Sequence, residues 1–141
     1  MSGQEILNVG FKNVDGTDFS DKMLYEAKNK NIYKRLFNLD LNSNFYNVNF
    51  NYNAIVAAGI ISPHHANPSC LEKCLNILCD SGLLIFSLND HAVENKNFMD
   101  EIFMIVGKNF EILEKTYGDH LPGIKLNSFV YVIKKLKIKK Y

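Results

Sequence analysis

Two aspartates and two histidines stand out in the 141-residue sequence because each follows a run of apolar residues. Asp18 and Asp40 close two early segments, whereas His64 and His65 lie in a loop after a later one. A carboxylate at the end of a strand can accept two hydrogen bonds from ribose hydroxyls, and a histidine can take a proton near neutral pH. Each residue type also has a structural interpretation, as a turn or cap for aspartate and as a solvated loop side chain for histidine.

The apolar pattern predicts the elements that position these residues. The continuous apolar run at 54–58, ended by Gly59, is typical of a strand buried on both faces of a parallel sheet. A second such strand is predicted at 83–86, after a break at Ser81-Gly82. Further strands are predicted at 11–17, 37–39, 110–117 and 129–135. A first helix is predicted to end near residue 7, where Gly10 can close it, and a second to span 21–30 with Ser20 as its cap. Two further helices are predicted at 68–78 and 94–106.

Alternating strands and helices followed by a hairpin predict an α/β fold with a mostly parallel sheet and a C-terminal antiparallel hairpin. We expect a single domain over residues 1–141 because the sequence contains no linker and no repeat. In such a sheet, ligands bind beyond the carboxyl ends of the strands. Asp18, Asp40, Gly59 and the histidine loop are predicted to lie at these ends.

The order of these segments resembles that of the class I S-adenosylmethionine-dependent methyltransferases. The resemblance covers about residues 10–86 and is greatest to the methyltransferase-like proteins named after the Williams-Beuren syndrome region. It implies a Rossmann-like methyltransferase sheet. The segments that carry it are Gly16-Thr17-Asp18-Phe19-Ser20, Asp40-Leu41, Tyr52-Asn53-Ala54-Ile55-Val56 with Gly59, and Ser81-Gly82-Leu83-Leu84-Ile85-Phe86.

The resemblance implies S-adenosyl-L-methionine as the cofactor and in-line methyl transfer to a small-molecule acceptor. His64 and His65 lie on the loop where a substrate would approach, so either is a candidate base. The implied cofactor contacts are Asp18 with the ribose, Phe19 and Met23 with the adenine, Asp40 and Leu41 beside the adenine amino group, and Ala57, Ala58 and Gly59 with the methionine part.

The family pattern opens with a strand and a glycine-rich loop, whereas Gly3 and Gly10 are the only early glycines here. We therefore expect an N-terminally truncated fragment that lacks the first strand, which is the middle strand of the family's sheet. Its absence would leave exposed strand edges, open to a protein partner or to self-association. The alternative function is a catalytically inactive methyltransferase-like protein that serves as a binding partner.

Composition and charge narrow the classes of partner. A formal net charge of +1 argues against nucleic acid, and no apolar run approaches the roughly 18 residues that would span a membrane. Cys70, Cys74 and Cys79 interleave with leucines at helical spacing, which favours buried apolar roles over a metal site. An odd number of cysteines and the absence of a leader predict a cytoplasmic protein.

Overall fold

The computed structural model describes residues 3–43 and 50–137. The chain divides into two compact units, Met1–Phe45 and Tyr46–Tyr141, and each unit contains its own β-sheet. The α/β class and the C-terminal antiparallel hairpin are confirmed, and the strand pairings are a mixture of parallel and antiparallel. The single domain over residues 1–141 stays a prediction.

The first unit is built on a pair of parallel strands. Its elements are α1 (Gly3–Asn8), β1 (Asp15–Asp18), α2 (Asp21–Asn29) and β2 (Arg35–Asn38). The predicted helix start at Ser20 is confirmed, since its Oγ accepts the backbone N–H of Met23 at 3.4 Å. Gly10 follows α1 with a φ of 105°, a left-handed conformation that glycine adopts without steric cost.

Two side-chain contacts stabilise the first unit. Asp15 and Arg35 are register partners, and Oδ2 of the carboxylate accepts from Nη2 at 2.7 Å and from Nε at 3.0 Å. The ring of Tyr33 lies so close to Gly3 and Gly16 that a Cβ at either position would come within about 3.0 Å of it. Glycine at these two positions therefore lets the aromatic ring pack against the backbone.

The second unit contains a four-stranded sheet. The elements of the unit are β3 (Tyr52–Ala57), α3 (Ser69–Ile77), β4 (Leu78–Asn89), α4 (Asp90–Glu94), α5 (Lys96–Asn109), β5 (Phe110–Leu121) and β6 (Leu126–Lys135). The strand order in the sheet is β3-β4-β6-β5. Strand β3 runs parallel to β4, whereas β6 runs antiparallel to both β4 and β5. A short 3-10 turn joins β5 to β6.

The core of this unit centres on β4. Leu84, Phe86 and Leu88 alternate along the strand and are fully buried, as the period of two residues requires for one face of a strand. The ring of Phe86 stacks on that of Tyr131 in β6, with the centroids 5.1 Å apart. Helices α3 and α5 complete the core with Cys70, Leu71, Cys74, Phe98, Met99, Ile102, Ile105 and Val106.

The prediction that the run at 54–58 is buried on both faces is wrong. In β3 only Ala57 is buried, and Asn53, Ala54 and Val56 are exposed. The physical reason is the strand order, which places β3 at the edge of the sheet with β4 as its partner among the described residues.

The break predicted at Ser81-Gly82 lies inside β4 rather than before it. Between Tyr52 and Ala54 of β3 the register on β4 jumps from Leu78 to Leu83, so the extra residues form a bulge. Ser81 has a φ of 62°, and a Cβ on Gly82 would lie 2.9 Å from the carbonyl oxygen of Cys79. The break therefore interrupts the register of the strand pair, and β4 itself continues on both sides of it.

The helix predicted at 94–106 corresponds to α5, and a separate short helix, α4, precedes it. Asn95 ends α4 and caps α5, and its Oδ1 accepts the backbone N–H of Phe98 at 3.1 Å. An asparagine that competes with the helix for backbone hydrogen bonds explains the interruption.

Candidate functional site

The strand pair of the first unit brings two acids to one edge of its sheet. Asp18 is the last residue of β1, and Asp40 lies two residues beyond the end of β2. The register places Asp18 opposite Asn38, and the N–H of Leu39 donates to the carbonyl oxygen of Asp18 at 3.0 Å. Because the strands are parallel neighbours, both acids follow carboxyl ends at the same edge, as the sequence predicts.

Each of these carboxylates is oriented by a backbone N–H two residues further along. Oδ1 of Asp18 accepts from the N–H of Ser20 at 2.9 Å, and Oδ1 of Asp40 accepts from the N–H of Asn42 at 2.8 Å. Within residues 3–43 and 50–137, no hydrogen bond reaches Oδ2 of Asp18. A carboxylate has about four lone-pair sites, so this half-buried group retains capacity for a hydroxyl donor.

Two exposed apolar side chains lie beside Asp18 in the sequence, at the start of α2. Phe19 is 74% exposed and Met23 is 49% exposed. An aromatic ring and a polarizable thioether are suited to contact with a flat heteroaromatic ring. Leu41 is half-buried in the turn that follows Asp40.

The end of β3 in the second unit carries Ala57, Ala58 and Gly59. Ala57 is buried, Ala58 is half-buried, and Gly59 is exposed with a φ of 73°. The N–H of Gly59 donates to Oγ of Ser87 in β4 at 2.8 Å, and Ser87 is buried. Sequence reasoning missed Ser87, although a serine that interrupts the buried run of β4 was a signal.

The two candidate bases differ in how they are held. His64 and His65 are both exposed, in a turn closed by the N–H of His65 donating to the carbonyl oxygen of Ser62 at 3.1 Å. The Oγ of Ser62 and Nδ1 of His65 are also hydrogen-bonded at 2.8 Å. Because Ser62 is buried, it tethers the imidazole of His65 to the loop.

The polar residues that end β4 have structural roles. Oδ1 of Asn89 accepts the N–H of Ala92 at 2.9 Å and caps α4. The carboxylate of Asp90 accepts from the hydroxyl of Tyr117 at 2.9 Å and from the N–H of Asn127 at 3.1 Å. Asp90 therefore ties both strands of the C-terminal hairpin to the start of α4.

The cysteines of α3 belong to the core. Burial raises the pKa of the Cys70 thiol to about 11 and that of Cys74 to about 12. Across residues 3–43 and 50–137 there is no group of three His, Cys, Asp or Glu residues that could hold a metal ion. Among the helices of the same residues, none combines the length and the apolar character that a membrane span requires.

We expect Cys70 and Cys74 to resist iodoacetamide in the native protein at pH 8. With a pKa of about 11 or above, roughly 0.1% or less of each thiol is ionised, and both are buried. Cys79 is half-buried and should be alkylated first. Peptide mapping by mass spectrometry measures the three rates, with the urea-unfolded protein as the control in which all three react. Equal native rates would contradict the assignment of Cys70 and Cys74 to the core.

No family model and no curated protein matches this sequence. Several solved structures do match. The N-methyltransferase NodS from Bradyrhizobium japonicum WM9, in complex with S-adenosyl-L-homocysteine, gives a TM-score of 0.71 at 11% identity. The match covers 95% of this chain and 72% of the NodS chain. Magnesium protoporphyrin IX methyltransferase (ChlM) from Synechocystis PCC 6803, with bound S-adenosylmethionine, gives a TM-score of 0.65 at 17% identity. The match covers 87% of this chain and 59% of the ChlM chain.

A third match is an rRNA methylase from Streptococcus thermophilus, with a TM-score of 0.62 at 18% identity, which covers 89% of this chain and 75% of its own. These neighbours are class I S-adenosylmethionine-dependent methyltransferases, and the chain has their α/β fold. At such low identity the likeness shows the fold and leaves the acceptor open, since the names of the three neighbours point to different acceptors.

Proposed function

We propose that this chain binds S-adenosyl-L-methionine and, as a methyltransferase or as part of one, transfers the methyl group to a small-molecule acceptor in the cytoplasm. The observation that supports this proposal most directly is the parallel β1–β2 pair. This pair places Asp18 and Asp40 after the carboxyl ends of two neighbouring strands, and Phe19 and Met23, which follow Asp18 in the sequence, are exposed.

The adenosine half of the cofactor is assigned to this edge. The two ribose hydroxyls would donate to the carboxylate of Asp18, whose Oδ1 is already oriented by Ser20. The adenine ring would lie against Phe19 and Met23, whose side chains are exposed. Its amino group is a hydrogen-bond donor that suits the carboxylate of Asp40, with the backbone of Leu41 alongside.

The methionine half is assigned to Ala58 and Gly59. Gly59 lacks a Cβ, so its backbone can approach a ligand closely, and its left-handed φ of 73° suits no β-branched residue. The hydrogen bond from its N–H to Ser87 would fix this segment at the end of β3.

The bound cofactor would supply a methyl group activated by a sulfonium centre. The protein would then have to align the acceptor with that group and, for a protonated acceptor, remove one proton. His65 is a better candidate for this base than His64, because Ser62 fixes the orientation of its ring. Both histidines remain candidates for the role.

A small acceptor is favoured by the near-zero net charge. A protein that binds nucleic acid neutralises phosphates with lysine and arginine side chains. The net charge of +1 here gives no large excess of positive charge for that purpose. The narrower kinship to the Williams-Beuren-region methyltransferase-like proteins is also part of the proposal and rests on the order and spacing of the four segments that carry the resemblance.

Isothermal titration calorimetry with S-adenosyl-L-homocysteine tests the proposal. We expect binding tighter than about 100 μM, equivalent to about 5.5 kcal/mol. Adenosine should compete, whereas guanosine, which has a carbonyl oxygen where adenine has its amino group, should not. A folded chain that binds neither S-adenosylmethionine nor its demethylated product would contradict the proposal and would favour the role of a binding partner.

A further inference from the structure

A cavity of about 480 Å³ opens in the second unit where β6 ends, between the last turns of α3 and α5. Pockets that hold small molecules typically enclose about 300–1,000 Å³, so this cavity has a suitable size for one. Three of its lining residues are Lys108, Lys135 and Lys137, and none of the described residues that line it is acidic. The concentration of positive charge suits an anionic ligand.

The ends of two helices lie at this cavity and offset part of the charge. A helix C-terminus carries a partial charge of about −0.5, so α3 and α5 together contribute about one negative charge. Lys135 binds the first of these ends, since its Nζ donates to the carbonyl oxygens of Leu75 at 2.6 Å and of Leu78 at 2.7 Å. Three ammonium groups against two helix ends leave an excess of about two positive charges.

Other donors already satisfy the carbonyl oxygens at the end of α5. The N–H of Leu136 donates to the carbonyl oxygen of Asn109 at 2.9 Å, and Nδ2 of Asn109 donates to that of Ile105 at 2.9 Å. Lys108 and Lys137 are exposed, and in the part of the chain that the structure describes neither side chain forms a hydrogen bond or an ion pair. Their ammonium groups are therefore available to a ligand.

We propose that this cavity binds a phosphate monoester of a small organic molecule. A phosphate group of this kind carries a charge of about −1.5 to −2 at pH 7, which matches the excess of positive charge. Lys108 and Lys137 donate charge-assisted hydrogen bonds to the phosphate oxygens. Leu75 and Leu136, which also line the cavity, contact the organic part.

The phosphate site is separate from the place assigned to the methionine half of the cofactor. The cavity is next to Leu78, the first residue of β4, to which Lys135 is hydrogen-bonded. Gly59 follows the end of β3, where Ala57 pairs with Phe86 further along β4. The two places lie toward opposite ends of the sheet, so the phosphate site does not depend on the proposed function.

Titration of phenyl phosphate into the 15N-labelled full chain, followed by 1H–15N correlation NMR, measures the affinity and locates the site. We expect a dissociation constant below about 1 mM and shifts in the backbone amides of Asn76, Asn109 and Leu136. Benzoate has the same ring with a single charge, and inorganic phosphate has the charge without the ring. Each should bind at least threefold more weakly than phenyl phosphate.

A pair of double variants tests which lysines hold the phosphate. Lys108→Gln with Lys137→Gln should weaken the binding of phenyl phosphate at least tenfold, because two charge-assisted hydrogen bonds are lost. Lys28→Gln with Lys96→Gln is the matched control. It removes the same charge from exposed positions of α2 and of the opposite end of α5, and the affinity should stay within about twofold. Neither pair should change the affinity for S-adenosyl-L-homocysteine.

Circular dichroism checks that the variants fold, which the exposure of all four lysines favours. If the Lys108→Gln and Lys137→Gln pair does not fold, Lys108→Gln alone should still weaken binding about threefold. No saturation by about 10 mM phenyl phosphate, or an equal loss in the control pair, would overturn the proposal. Inorganic phosphate or benzoate binding as tightly as the ester, shifts confined to other amides, or tighter binding of a single-stranded RNA oligonucleotide at the same amides would also overturn it.

Discussion

Replacing Asp18 with alanine is expected to weaken the binding of S-adenosyl-L-homocysteine by roughly 10- to 150-fold. Hydrogen bonds to a charged group contribute about 1.5–3 kcal/mol, and the substitution removes the carboxylate that would accept the ribose hydroxyls. Calorimetry measures the change. The affinity of Asp18→Asn should lie between those of the unmodified protein and Asp18→Ala. Its amide oxygen can still accept from the N–H of Ser20, but the negative charge is lost.

A control is needed because Asp18 also orients the start of α2. Ser20→Ala removes the helix cap, in which Oγ accepts the N–H of Met23, but keeps the carboxylate. This change should lower stability by about 1 kcal/mol and alter the affinity less than threefold. If Ser20→Ala weakened binding as much as Asp18→Ala, the aspartate would act through the helix and the ribose assignment would be wrong.

Local signals in the sequence predicted the elements that position Asp18. A serine before an acidic first turn predicted the start of α2, and a glycine after an apolar turn predicted the end of α1. Both signals depend on backbone hydrogen bonds and φ angles within a few residues. The parallel pairing of β1 with β2 could also be anticipated, because the helix between two short strands provides the crossover.

The exposure of the β3 side chains could not be predicted from their composition. The run Ala54–Ala57 has the apolar character of a strand covered on both sides, yet the structure leaves Ala54 and Val56 exposed. Periodicity reports which residues favour burial, whereas the neighbours available to bury them are set by strand order. A mismatch between apolar character and exposure is itself informative, since it marks a surface that can bind something else.

The contacts that hold the candidate site were the least predictable part of it. Ser87 accepts from Gly59 across 28 positions of sequence, and such a pair has no local pattern. The contact of Ser62 with His65 spans three residues, but it depends on a turn that the sequence indicated only as a loop. The acids at the strand ends were easier to predict, because a single rule about parallel sheets places them.

Stability of the second unit should depend strongly on the buried side chains of β4. Phe86→Ala is expected to lower the free energy of unfolding by about 3–5 kcal/mol, since it removes a ring that is 1% exposed and stacked on Tyr131. Domains of this size are stable by only about 5–15 kcal/mol, so the unit would approach its unfolding threshold.

Urea denaturation followed by far-ultraviolet circular dichroism measures this loss, and Val130→Ala is the control. Val130 lies on β6 like Tyr131, but it is exposed, so its truncation should cost less than about 1 kcal/mol. Phe86→Leu keeps an apolar side chain in the core and should lose less than the alanine variant. A loss below about 1.5 kcal/mol for Phe86→Ala would mean that the sheet and helices of this unit are not packed around β4, and the core would have to be sought elsewhere.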